Sequence, residues 1–187
     1  INGATSGAYS VIMKGSEVSN SRIYDSKGVS MTGDNSTFNK NKVHNITSLN
    51  LHMIRYSNSD TSTAYGNEFY NTTAAGTIIN INGPYDEDTS SYPVAFRNNS
   101  IVASGSSTAV YLFGKVMFEK NTITQLVNSS DTTKSTGLHL PRNYYNNTKA
   151  SHAVVRYNVI RDFDTNVLVS GALTTLSNNN FMGALDV

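Results

Sequence analysis

Phe96-Arg97-Asn98-Asn99-Ser100-Ile101 and Phe118-Glu119-Lys120-Asn121-Thr122-Ile123 share one plan: an apolar residue, two mostly polar ones, Asn, any residue, then Ile, Val or Phe. The plan recurs upstream at Val18-Ser19-Asn20-Ser21-Arg22-Ile23, at Phe38 through Asn41 to Val43, and at Ala64 through Asn67 to Phe69. It recurs downstream at Val155 through Asn158 to Ile160 and at Leu176 through Asn179 to Phe181. The keyed column Ser21, Asn41, Asn67, Asn99, Asn121, Asn158 and Asn179 is Asn in six of seven members, at separations of 20, 26, 32, 22, 37 and 21 residues. Such units are too small to bury their own apolar side and must be completed by their neighbours, which is the logic of a stacked repeat.

Between these marks, apolar residues flank a single outward candidate in Val29-Ser30-Met31, Leu51-His52-Met53, Ile79-Asn80-Ile81, Val110-Tyr111-Leu112, Leu138-His139-Leu140 and Val167-Leu168-Val169. Period-2 alternation in short runs is strand chemistry, and no segment sustains a helical period. Stacking like positions at the ~4.8 Å sheet spacing predicts an all-β, parallel β-helix of about seven coils. The repeated Asn would form a ladder of amides at a tight turn, where it also tolerates the left-handed conformation. The inward columns are Val18/Phe38/Ala64/Phe96/Phe118/Val155/Leu176 and Ile23/Val43/Phe69/Ile101/Ile123/Ile160/Phe181.

Composition narrows the function. Asn, Ser and Thr supply 68 of 187 residues, charged residues 14%, and the formal net charge is +1, which offers no basic surface for nucleic acid. No stretch reaches the length of apolar residues that membrane insertion requires, and Cys is absent. Residues 1–187 read as a single β-helix domain. The first fifteen residues show no amphipathic helix to cover the first coil, so a neighbouring part of a longer chain or a homo-oligomer is expected to cover the solenoid ends.

The Asn-centred units, over approximately residues 8 to 185, make the chain resemble the right-handed parallel β-helix superfamily, the pectate-lyase-like fold of polysaccharide lyases, hydrolases, phage tailspikes and surface proteins. By that resemblance the ladder lies at the turn between the second and third sheets. The triplets beginning at Val29, Leu51, Ile79, Val110, Leu138 and Val167 would form the first sheet, whose outer face is the substrate groove in the enzymes. An extracellular or cell-surface location follows from the same likeness.

Coil length varies chiefly just after the first-sheet strand, in residues 55–63, 82–92 and 141–151, with one further insertion at 125–136. Loops leaving one side of a rigid solenoid build walls beside a flat sheet, and so make a cleft. Its floor is expected to be Ser30, His52, Asn80, Tyr111, His139 and Leu168, with Tyr144, Tyr145 and Arg142 on a wall. Aromatic faces stack on sugar rings while His, Asn and Tyr hydrogen-bond hydroxyls, so the expected ligand is a polysaccharide, bound by His52, Asn80, Tyr111, Tyr144 and Tyr145.

If the groove reacts, a lyase is preferred to a glycoside hydrolase. Inverting hydrolysis needs two carboxyls about 6.5 to 9.5 Å apart, and no Asp or Glu occupies the floor. Elimination needs a base and a cation beside the uronate carboxyl, roles for which His139 and Arg142 are the catalytic candidates, with His152 and Arg156 as further cationic material. Family lyases often hold calcium on carboxylates, and Asp86, Glu87 and Asp88 are the corresponding metal candidates. The alternative is a non-catalytic structural or adhesive surface rod.

Overall fold

The structure is a computed structural model describing residues 11–13, 15–24, 29–31, 35–44, 62–70, 79–83, 94–104, 108–126, 134–141, 152–170 and 174–183. Strands are numbered along the chain. The second sheet contains β2 (Glu17–Ser19), β5 (Thr37–Asn39), β7 (Ser62–Tyr65), β10 (Val94–Arg97), β13 (Val116–Glu119), β16 (Val154–Arg156) and β19 (Thr175–Ser177), stacked in that order. The third contains β3 (Arg22–Tyr24), β6 (Lys42–His44), β8 (Glu68–Tyr70), β11 (Ser100–Ser104), β14 (Thr122–Leu126), β17 (Val159–Arg161) and β20 (Asn180–Met182). The first contains β9 (Ile79–Asn82), β12 (Thr108–Phe113), β15 (Thr136–Leu140) and β18 (Thr165–Val169). β1 (Val11–Met13) and β4 (Val29–Met31) form a separate two-stranded sheet in the first two coils. All pairings among the described strands are parallel, and two seven-stranded sheets make seven coils of a right-handed β-helix, the hand that twisted strands impose on parallel crossovers.

The corner between second and third sheets holds the ladder. Each ladder Asn accepts on Oδ1 the backbone N–H of its counterpart one coil back, from Ser21 to Asn41 at 2.9 Å through Asn158 to Asn179 at 2.9 Å. Its Nδ2 donates to the carbonyl of the inward residue one coil back, as Asn67 does to Phe38 at 2.7 Å and Asn158 to Phe118 at 3.0 Å. These polar groups are buried yet satisfied, which is the condition for tolerating them inside a solenoid. The left-handed conformation falls on the preceding residue and not on the ladder Asn as expected: Asn20, Lys40, Gly66, Asn98, Lys120, Tyr157 and Asn178 have φ between 51° and 65°. The chain reverses there, freeing the ladder residue to aim its amide along the axis.

Both inward columns stack in the expected register, Phe38 on Ala64 on Phe96 on Phe118, and Val43 on Phe69 on Ile101 on Ile123. Where the first column shrinks to Ala64, the second swells to Phe69. The Phe69 ring enters the gap, 6.3 Å from Phe38 and 6.0 Å from Phe96, and Phe96 lies 5.4 Å from Phe118 with their planes 2° apart. Interior volume is thereby kept nearly constant from coil to coil, as close packing demands.

Outside the second sheet, Glu119 bridges two coils. Arg97 Nε lies 3.0 Å from one carboxylate oxygen and Arg156 Nε 2.7 Å from the other.

Candidate functional site

Four members of the column expected on the first-sheet face stand in register, while Ser30 lies on β4 in the separate two-stranded sheet. Asn80 is registered with Tyr111, Tyr111 with His139 and His139 with Leu168. Alternation along β12 extends one step beyond the triplet read from sequence and adds Phe113, registered with Asn82. The Tyr111 and Phe113 rings lie 6.0 Å apart at 11°, nearly coplanar in orientation, and the His139 ring sits 4.7 Å from Tyr111. Three rings on adjacent outward positions make an aromatic platform. Its far edge is held by Gly83, whose N–H donates to the Phe113 carbonyl at 2.8 Å. A Cβ at Gly83 would collide with the backbone of Lys115, which is itself wholly buried at the turn after Phe113.

His139 Nε2 lies 3.2 Å from Ser170 Oγ, a partner not anticipated from sequence although Ser170 continues the outward phase of Leu168. Burial against the platform pushes the imidazole below its ordinary pKa, so the ring is neutral at neutral pH. The Asn80 Oδ1 is buried and has no hydrogen-bond partner among the described residues. None of the four first-sheet strands contains Asp, Glu, Lys or Arg; the described strands carry their charges on the second and third sheets. Among the described residues the platform is uncharged and has hydrogen-bonding edges.

One expectation changes and another is resolved. Ser30, read as part of the open floor, is only 5% exposed and is unavailable to a ligand. Arg156, open between cationic material for the groove and a residue flanking the ladder, takes the second place: it belongs to β16 of the second sheet, two residues before Asn158, and is committed to Glu119, which raises the guanidinium pKa further. Leu168 is exposed at the end of the column.

His52, Arg142, Tyr144, Tyr145, Asp86, Glu87 and Asp88 lie outside the described residues. Among the described residues no group of three His, Cys, Asp or Glu side chains is placed to hold a metal ion, and no helix is long and apolar enough to cross a membrane. In comparisons with known proteins, no family model, no curated protein and no solved structure matches the chain.

Proposed function

We propose that this chain is a pectate-lyase-like β-helix that binds an extracellular or cell-surface polysaccharide on the outer face of its first sheet. The observation that carries the reading is the platform of Tyr111, Phe113 and His139 on an uncharged outward sheet face. Apolar faces of sugar rings stack on such aromatics, and the edges of Asn80, Asn82 and His139 are within reach of ring hydroxyls. Strands repeating at ~4.8 Å give the surface a rise suited to a linear polymer. The expected wall residues Arg142, Tyr144 and Tyr145, with His52 on the floor, would extend the same contact.

Turnover is a further step within this proposal. A neutral His139 can take the C5 proton alpha to a uronate carboxyl as the C4–O glycosidic bond breaks and the C4=C5 double bond forms, the departing sugar oxygen taking its proton from water; Arg142 would neutralise the carboxyl, and calcium on Asp86, Glu87 and Asp88 would be the implied metal. Calorimetric titration against neutral and uronate-containing polymers tests binding, with Tyr111→Ala and Phe113→Ala each weakening it up to about tenfold while thermal unfolding is unchanged. The appearance of unsaturated product, abolished by His139→Ala, would mark a lyase; binding without product marks a recognition module. Failure of the intact protein to bind any glycan overturns the proposal in favour of a structural rod.

A further inference from the structure

The third sheet carries a second set of outward columns that no reading of the chain's repeats singles out. Arg22, Lys42 and Glu68 occupy one column on three successive coils, and Tyr24, His44 and Tyr70 occupy the next outward column two residues along. Strand geometry separates the columns by about 6.5 to 7 Å, roughly the width of one sugar ring. A cavity of about 500 Å³ opens over the first two coils and is lined by Arg22, Ile23, Tyr24, Lys42 and His44. Charged and aromatic side chains from two neighbouring columns of one sheet face thus line the same space.

Glu68 stands on the next coil, beside the residues that line this space. Its carboxylate lies 3.0 Å from Lys42 Nζ, where it competes with any bound anion, and 3.4 Å from His44 Nε2. His44 is further fixed by Tyr70, with ring centroids 5.8 Å apart. The Arg22 guanidinium has five N–H donors and can serve a ligand while engaged elsewhere, and Lys42 has three. Cationic donors beside aromatic rings in a cavity of this size match a saccharide bearing an anionic substituent.

We propose that this cavity is a second glycan site, specific for an acidic sugar: the anionic substituent is held by Arg22 and Lys42, and the ring packs against Tyr24 and His44. The site is on a different sheet from the aromatic platform and does not depend on it. The division is chemical as well as spatial, since the platform strands carry no charged residue and the third-sheet cavity is built around them.

The test is a nuclear magnetic resonance titration of the full chain with glucuronate, with glucose and inorganic sulfate as controls. Glucuronate is expected to shift the Tyr24 and His44 ring signals saturably, and glucose at the same concentration to leave them in place. Arg22→Ala should weaken glucuronate binding about tenfold, the scale of one lost charge-assisted contact, with an unchanged unfolding midpoint because Arg22 is exposed. Glu68→Gln removes a competing carboxylate from Lys42 and should tighten binding, whereas Tyr111→Ala should not affect it. Equal shifts with glucose, sulfate binding with the same strength and the same ring shifts as glucuronate, or weaker binding in Glu68→Gln would each overturn the proposal.

Discussion

Asn121 accepts on a single amide oxygen both donors that Asn99 presents, the backbone N–H at 3.0 Å and Nδ2 at 3.1 Å, and returns its own Nδ2 to the Phe96 carbonyl at 3.0 Å. Both residues are buried, so water cannot replace a missing partner. Asn121→Ala is expected to destabilise the protein by roughly 2 to 5 kcal/mol in urea unfolding, because it strands buried donors and an acceptor together. Asn121→Asp keeps the acceptor and loses the donor. Burial raises the folded-state pKa of that new carboxyl, so its deficit should be largest at neutral pH. It should shrink as pH falls through the folded value toward the unfolded one near 3.9, where the protonated acid can donate to Phe96.

The exchange of sizes at Ala64 and Phe69 makes a sharper test of packing than a single truncation. Phe69→Ala should cost about 3 to 5 kcal/mol, as should Phe96→Ala or Phe118→Ala, by removing buried area and leaving a cavity. Ala64→Phe alone should cost about 1 to 3 kcal/mol through overpacking. Combined with Phe69→Ala, it restores a ring to the stack, and the double variant should be at least about 1 kcal/mol more stable than the sum of the singles implies. Strict additivity would show that the two sites do not share one volume.

Lys120 occupies the left-handed turn at φ 57° with its side chain exposed. Lys120→Gly should therefore raise stability by about 0.5 to 1 kcal/mol, since glycine adopts this conformation without the Cβ penalty. At Gly66, already at φ 65°, the reverse substitution Gly66→Ala should lower it by a similar amount. The change in unfolding midpoint measures both.

Asp164 gives stability an acid limb. Its carboxylate accepts from the Ser135 N–H at 2.7 Å and from Ser135 Oγ at 2.9 Å, and these bonds hold it below the usual carboxylate range. A lowered folded pKa means the contribution is fully present above the unfolded value near 3.9 and disappears as pH falls through the folded value. Thermal unfolding of Asp164→Asn across this range should show a shallower acid loss than the wild type, and Ser135→Ala, which leaves the backbone donor, an intermediate one.

Asn at one phase of successive units, and like residues stacked at inward positions, made the solenoid legible because both signals repeat. The left-handed residue did not, since Lys40, Lys120 and Tyr157 share its conformation with Gly66 and Asn98 and no side-chain chemistry. Phe113 escaped because a three-residue window around Tyr111 ends one residue short, while alternation over the whole strand finds it. The third-sheet cavity was invisible for a different reason. Arg22, Lys42 and Glu68 are brought together only by register between three-residue strands, and nothing local in any of those strands signals its neighbours. For His52 on the expected floor, Arg142, Tyr144 and Tyr145 on the expected wall, and the metal candidates 86–88, the described structure adds nothing to the sequence.

The ladder corner always contains two residues, from Asn20-Ser21 to Asn178-Asn179, although consecutive ladder positions are separated by anything from 20 to 37 residues. Coils are consequently interchangeable parts with a common fastening. A loop on another corner can be lengthened, shortened or transplanted without rephasing the turns above and below it, because every coil is re-indexed before the next begins. Frame and surface can then diverge at separate rates, and recognition on one flank can be rewritten while the fastening stays the same.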